Sequence, residues 1–347
     1  MSGAPVDELD VGALAAYLQE RLGGFRGPLR YERFSGGQSN PTYLLTAGSE
    51  RYVLRKKPSG ILLPSAHAVE REYRVMKALE QTDVPVAHMH CFCEDPEVVG
   101  TPFYVMEFVD GRILWDPALP ELDASGRRAL YDELSRVIAV LHKVDYRAVG
   151  LEDYGRPGNF FGRQINRWTR QYQASATETI PAMDRLIDWL PAHIPAGDET
   201  TIFHGDLRLD NMIFHPHEPR VLALLDWELS TLGHPLADFA YHALPWRLTS
   251  EQFRGMAEKN PLPAGIPSEQ DYLRSYCERT GRAVDPSEYG FCLAYSMFRL
   301  AAILQGILKR SLDGTASSAQ ARETGLKARG IAQAAWALVM AHFPDAR

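Results

Sequence analysis

Residues 204–211 read HGDLRLDN, within TIFHGDLRLDNMIFHP, where apolar, strand-like residues flank a strongly polar loop. A solvated turn needs one or two such polar residues. Here His204, Asp206, Arg208, Asp210 and Asn211 crowd into eight positions, which points to polar groups held in place for chemistry. Twenty residues after Asp206, the short apolar strand VLALLDWELS runs into Asp226. Two strand-edge loops therefore deliver carboxylates, and Asn211 adds an amide oxygen. A carboxylate and an amide oxygen, completed by water, suit Mg2+. Asp206 is then left to orient a hydroxyl or accept its proton while the metal neutralises phosphate oxygens. Taken singly, Asp and Asn also cap turns. Asp210 suits that role, and His204 suits a packed ring bonded to backbone. Arg208 either neutralises the loop's carboxylates or meets an anionic substrate.

The chain around this loop has 347 residues, 45% hydrophobic and 23% charged, with a formal net charge of −7. That is globular composition at a length where one core tends to split in two. The acidic balance argues against general nucleic-acid or anionic-membrane binding. No run approaches the roughly 20 apolar residues of a membrane span, and MSGAPVDELDVGAL is not a signal peptide, so a cytoplasmic protein is expected. Cys91 and Cys93 lack a second pair at zinc spacing, so reduced buried thiols are expected.

Upstream, LRYERF, PTYLLTAG and RYVLRKK (29–57) read as a meander of antiparallel strands joined by turns, the first of them SGGQSN. Gly36 and Gly37 let a backbone approach phosphate, and Ser39 and Asn40 offer hydrogen bonds; a plain hairpin turn is the simpler reading. No G-x-x-x-x-G-K-[ST] motif is present. Along the third strand, Val53, Arg55 and Lys57 share one face. The helix AHAVEREYRVMKALE (66–80) carries Val69, Tyr73, Met76 and Leu79 in one stripe, and Glu72 falls inside it. A carboxylate on an apolar face needs a partner, and either Arg55 or Lys57 would serve. From about residue 120 the pattern turns helical, apart from 200–232. Residues 288–310, apolar almost all round, predict a buried helix. The expected division is 1–109 and 110–347. Asp238, in HPLADFAY, is expected to be structural, as a helix cap or a partner of the loop backbone.

The spacing H-x-D-x-x-x-x-N resembles the catalytic loop of protein kinases. Gly205 in place of Arg, and LLDWE in place of D-F-G, resemble the aminoglycoside phosphotransferase and choline kinase branch of that fold. The resemblance implies an α+β, protein-kinase-like two-lobe fold: a small antiparallel β N-lobe and a larger, mainly helical C-lobe. It implies ATP and Mg2+ as cofactors, Asp206 as catalytic base, and Asn211 and Asp226 as metal ligands. Ser39 and Asn40 fall in its phosphate turn. Arg55 stands where kinases carry lysine, with Lys57 as second candidate, and Glu72 would give one of them the strand–helix ion pair of that fold. In PFYVMEFVDG, Met106 would back the adenine, and the Glu107 carbonyl and Val109 N–H would bond its edge.

A narrower resemblance, spanning roughly 28–330, is to the kinase-like domain of acyl-CoA dehydrogenase family members ten and eleven. SGGQSNPTYLL, GTPFYVMEFVDGRI and LEDYGRPGNFFGRQINRWTRQY carry it with the two loops. It implies a small-molecule kinase whose acceptor is a hydroxylated acyl chain, such as a 4-hydroxyacyl-CoA. Arg163, Arg167 and Arg170 could line one side of a helix and suit an anionic substrate, although a solvated amphipathic helix has the same pattern. No dense acidic cluster suits a polycationic aminoglycoside. The rivals are an aminoglycoside or choline-like kinase, a non-catalytic nucleotide-binding protein of the same fold, and a zinc hydrolase built on His204, Asp206, Asp226 and His234. A monomer or a homodimer is expected.

Overall fold

The computed structural model describes residues 9–34, 40–60, 67–316 and 320–343. The chain divides into two compact units, 1–111 with 222–228, and 112–221 with 229–347.

The first unit is built on a five-stranded antiparallel sheet of order β1-β2-β3-β5-β4. Its strands are β1 (Leu29–Arg33), β2 (Thr42–Ala47), β3 (Glu50–Lys56), β4 (Met89–Cys93) and β5 (Phe103–Glu107). Helix α1 (Val11–Arg21) precedes the sheet, α2 (Val69–Leu79) joins β3 to β4, and the single turn α3 (Pro96–Val99) joins β4 to β5. Strand alternation sorts the residues of β2, β3 and β5. Tyr43, Leu45, Leu54, Phe103 and Val105 share one core with Leu14 and Leu18 of α1. Each such leucine, fully buried, contributes about 1.5–3 kcal/mol. The opposite face carries Arg55 and Tyr104, in register with each other, and meets α2. Residue 56 then points back, and Lys56 is buried with its ammonium donating to the Val99 carbonyl at 2.9 Å.

The expected first domain ended at 109 and lacked Leu222–Glu228, which the structure assigns to the first unit. The reason is local bonding. The Leu224 N–H donates to the Pro85 carbonyl at 2.9 Å, and Asp226 and Glu228 both reach Arg55.

The second unit is mainly helical: α4 (Ala124–Lys143), α5 (Phe160–Ser175), α6 (Pro181–Ala192), α7 (Pro235–His242), α8 (Ser250–Phe253), α9 (Glu269–Thr280), α10 (Pro286–Leu312), α11 (Ala321–Leu326) and α12 (Ala328–His342). It also contains β6 (Thr201–Phe203), β7 (Met212–Phe214) and β9 (Thr231–Gly233), with β6 antiparallel to β9. Between β7 and β9, β8 (Val221–Leu224) leads the chain into the first unit. Helix α10 is long and apolar enough to cross a membrane by length and composition alone. Here it is the central core helix, buried along most of its length and packed by α5, α7, α11 and α12.

Candidate active site

In the first unit, β3, β5 and α2 build a charged cluster around Glu72. Arg55 Nε lies 2.9 Å from Glu72 Oε2. The Tyr104 hydroxyl donates to the same oxygen at 3.0 Å, and Asn40 Nδ2 donates to Oε1 at 2.8 Å. The other edge of the guanidinium reaches Asp226, Nη2 to Oδ1 at 3.0 Å, with Glu228 at 3.8 Å. Glu72 is only 1% exposed. Burial raises its carboxyl above the ordinary value, while Arg55, Tyr104 and Asn40 oppose that rise. Desolvation disfavours the Arg55 charge, but Glu72 and Asp226 outweigh it and hold the guanidinium ionised. Asp226 itself has φ 62°, a left-handed backbone that costs a non-glycine residue about 1–2 kcal/mol. Strain of this kind concentrates at functional sites.

Beyond β5, Arg51 lies over the Phe108 ring and pairs with Asp110 at 2.8 Å, fixing the exit of the strand. Met106 is buried opposite Val53. Glu107 closes the strand, its N–H donating to the His88 carbonyl at 2.8 Å. Val109 lies two residues past that end, half-buried.

In the second unit, the polar loop runs from β6 into a short 3-10 turn, Leu209–Asn211, that leads into β7. Asp238, fully buried in α7, accepts from the N–H groups of His204 at 2.6 Å and Gly205 at 2.9 Å. Arg299 of α10 donates to the Gly205 carbonyl at 2.6 Å. The backbone before Asp206 is thus gripped on both its donor and acceptor sides. Asn211 Nδ2 donates to the Asp206 carbonyl and to its Oδ2, both at 2.8 Å. Arg208 brackets the same carboxylate, Nε to Oδ1 and Nη2 to Oδ2, each 3.0 Å. Burial pushes the Asp206 carboxyl up, but Arg208, Arg299 and a hydrogen bond from Tyr241 prevail and keep it below its ordinary value. Asp206 is therefore ionised near neutral pH, an acceptor that can orient a hydroxyl.

Beside this loop opens a small cleft. Trp115, Tyr131, Leu134, Trp246 and Phe253 wall it, and Arg208, Asp210, Tyr241 and Arg254 add polar groups. Asp210 is the one carboxylate among the lining residues, and Arg254 and Arg208 both pair with it.

The model of the phosphotransferase enzyme family, APH, matches residues 30–272. The chain belongs to that family. It is 49% identical over 328 residues to acyl-CoA dehydrogenase family member 10 of Mus musculus, covering 93% of this chain and 30% of that protein. The corresponding figures for mouse family member 11 are 44% over 323 residues, 90% and 41%. The chain thus spans well under half the length of these curated relatives. A crystal structure from Ralstonia eutropha, named only as a candidate aminoglycoside phosphotransferase, is 55% identical, with a TM-score of 0.88 over 96% of this chain and 99% of that one. The ternary complex of aminoglycoside phosphotransferase APH(4)-Ia with ADP and hygromycin B shares the fold at 15% identity, with a TM-score of 0.59 over 93% and 98%.

The phosphotransferase departs from several sequence expectations. Asn40 does not face a phosphate: it is 1% exposed, with its amide nitrogen on Glu72 and its oxygen 3.0 Å from His67 Nδ1. Ser39 lies outside the described residues. The choice between two cations for Glu72 falls to Arg55, because Lys57 pairs with Glu70 at 2.9 Å. Arg163 donates to the carbonyls of Gly158 and Arg156 and fastens that loop to α5. Arg208 pairs with Asp206 and Asp210 and also lines the cleft. Arg167 is exposed. Asp238 is not the cap of α7, a place held by His234. Arg299 was missed; its signal was a lone charge inside the apolar run FCLAYSMFRLAAIL.

Asn211 in the second unit and Asp226 in the first, the two side chains expected to hold Mg2+, each keep an oxygen donor outside their own hydrogen bonds. Asn211 bonds Asp206 through its nitrogen, which leaves its amide oxygen as donor. Asp226 meets Arg55 through Oδ1, which leaves Oδ2. These are hard oxygen donors of the kind Mg2+ takes. Zinc finds less: among the described residues no group of three His, Cys, Asp or Glu is placed to hold a metal. His204 Nδ1 already accepts from the Asp206 N–H at 3.2 Å, and His234 packs on the Phe161 ring.

Proposed function

We propose that this phosphotransferase is an ATP- and Mg2+-dependent kinase acting on a hydroxyl of an acyl chain carried as a coenzyme A thioester. The observation that supports the acceptor class is the cleft lined by Arg208, Leu209 and Asp210 of the loop that carries Asp206. Its walls are aromatic and aliphatic, and its one lining carboxylate is paired with two arginines. A polycationic aminoglycoside needs free carboxylates, whereas an acyl chain needs apolar walls. The names of the curated relatives, acyl-CoA dehydrogenase family members, agree with a thioester substrate.

Arg55, held by Glu72, would grip phosphate oxygens in its fork. Mg2+, taken by the Asn211 oxygen and Asp226, would supply charge neutralisation for the transferring phosphoryl group. Asp206 would orient the acceptor hydroxyl and receive its proton as the new phosphate ester forms, and ADP would leave. Asn211 and Arg208 hold the carboxylate in one rotamer for that role.

The test is ATP consumption with Mg2+ against hydroxyacyl-CoAs, hydroxy acids, choline-like alcohols and aminoglycosides. Turnover is expected with a hydroxyacyl-CoA, falling about 10²–10⁴-fold in Asp206→Asn and stopping with EDTA. Faster turnover of an aminoglycoside or an amino alcohol would replace the acyl acceptor. Tight Mg·ATP binding without turnover of any class would favour the non-catalytic reading.

A further inference from the structure

Arg299 is a charged side chain inside the core helix α10, 3% exposed. One nitrogen, Nη2, donates to the Gly205 carbonyl; the other, Nη1, is buried with no hydrogen-bond partner. No carboxylate lies within ion-pair distance of it among the described residues. Its guanidinium instead lies between two rings, 5.4 Å from the Trp168 centroid and 5.0 Å from that of Tyr241. Two rings and one carbonyl compensate a buried cation only in part.

A second cation stands beside it. Arg167 of α5 lies 5.2 Å from the same Trp168 ring, so one indole serves two guanidinium groups. Arg167 also has no carboxylate partner among the described residues. Partial desolvation of its guanidinium, and then the like charge of Arg299, lower its pKa from the ordinary value. Tyr295, one turn before Arg299 on α10, adds a buried hydroxyl beside Trp168. Arg299 feels the Asp206 carboxylate without forming an ion pair with it, so the two like charges still repel each other, and an anion placed between them would relieve that repulsion.

We infer that Arg299, Arg167 and Tyr295 form an anion-binding site that takes a carboxylate or phosphate oxygen group of the acceptor. Arg299 offers Nη1 from the buried end, Arg167 closes the exposed end, and both lie against the Trp168 ring. Because Arg299 also holds Gly205, the bound anion is registered against the loop that carries Asp206. Two ligands present this chemistry: the phosphates of coenzyme A, and the carboxylate of a free hydroxy acid. The identity of the ligand as acceptor rests on the kinase reading; the site itself does not.

The experiment is calorimetric titration of the full chain with two matched pairs: coenzyme A against pantetheine, and 4-hydroxyoctanoate against its methyl ester. In one pair the charged member should bind about tenfold or more tightly, the difference a charge-assisted pair supplies. That preference should collapse in Arg167→Gln and in Arg299→Gln. A preference in the first pair assigns the site to phosphate, and in the second to carboxylate. No preference in either pair overturns the inference, as does a preference that survives both substitutions. If Arg299→Gln does not fold, Arg167→Gln, on the exposed end, decides. Failure of the kinase reading looks different: the charge preference persists in the native chain while no ATP is consumed.

Discussion

Arg55 carries three carboxylates on one guanidinium: Glu72 on Nε, and Asp226 with Glu228 on Nη2. A lysine has a single nitrogen and cannot bridge two carboxylates with fixed geometry. Arg55→Lys should therefore keep the charge and lose the bridge. We expect KM for ATP to rise about tenfold or more with a smaller change in folding stability, read by steady-state kinetics beside urea unfolding. An unchanged KM would remove Arg55 from phosphate binding. Asn40 contributes to the same cluster from behind: it holds Glu72, and Glu72 holds Arg55.

The polar loop depends on three elements that surround it. β6 delivers it, α7 fixes two of its N–H groups through Asp238, and α10 fixes a carbonyl through Arg299. Gly205 lies at the centre of these bonds with φ +88°, and a Cβ there would meet the Leu229 carbonyl oxygen at 2.8 Å and the Phe203 ring at 3.0 Å. The left-handed backbone alone costs an L-residue about 1–2 kcal/mol, and the backbone oxygen cannot move as a side chain can. Gly205→Ala should lower unfolding free energy by about 2 kcal/mol or more and displace Asp206, so turnover should fall beyond what the stability loss explains. Native stability in denaturant titration would show that the loop relaxes freely.

The whole chain responds to acid through histidines buried in its helical unit. Burial pushes His234 and His242 down to about 4, and His142 below its ordinary value. The unfolded chain binds protons at these positions near pH 6.5, so it gains protons that the folded chain refuses as pH falls. Their contribution is complete above about pH 6.5 and is lost progressively down to about pH 4. Between pH 7.5 and pH 5, each of His234 and His242 should cost about 2 kcal/mol of stability. Urea midpoints at the two pH values should separate accordingly, and His234→Gln should narrow the gap. Equal midpoints would show that these rings are charged in the native protein.

Local periodicity and spacing made much of this protein readable from its residues. Alternation over 29–57 gives three strands of the sheet, and the stripe on residues 66–80 puts Glu72 on the buried face of α2. Both follow from geometry within a few residues. The HGDLRLDN loop likewise names Asp206 and Asn211, which the fold brings within 2.8 Å of each other. Contacts across long stretches of chain were decided only by tertiary structure. Asn40 meets a carboxylate 32 residues away rather than a ligand. Asp226 joins a strand 171 residues earlier, which draws Leu222–Glu228 into the first unit. Arg163 closes on nearby carbonyls, while Arg299, 94 residues beyond Gly205, comes to hold the loop. A buried polar group takes whichever partner packing leaves beside it. Chain position does not specify that partner, because it depends on how separate elements stack.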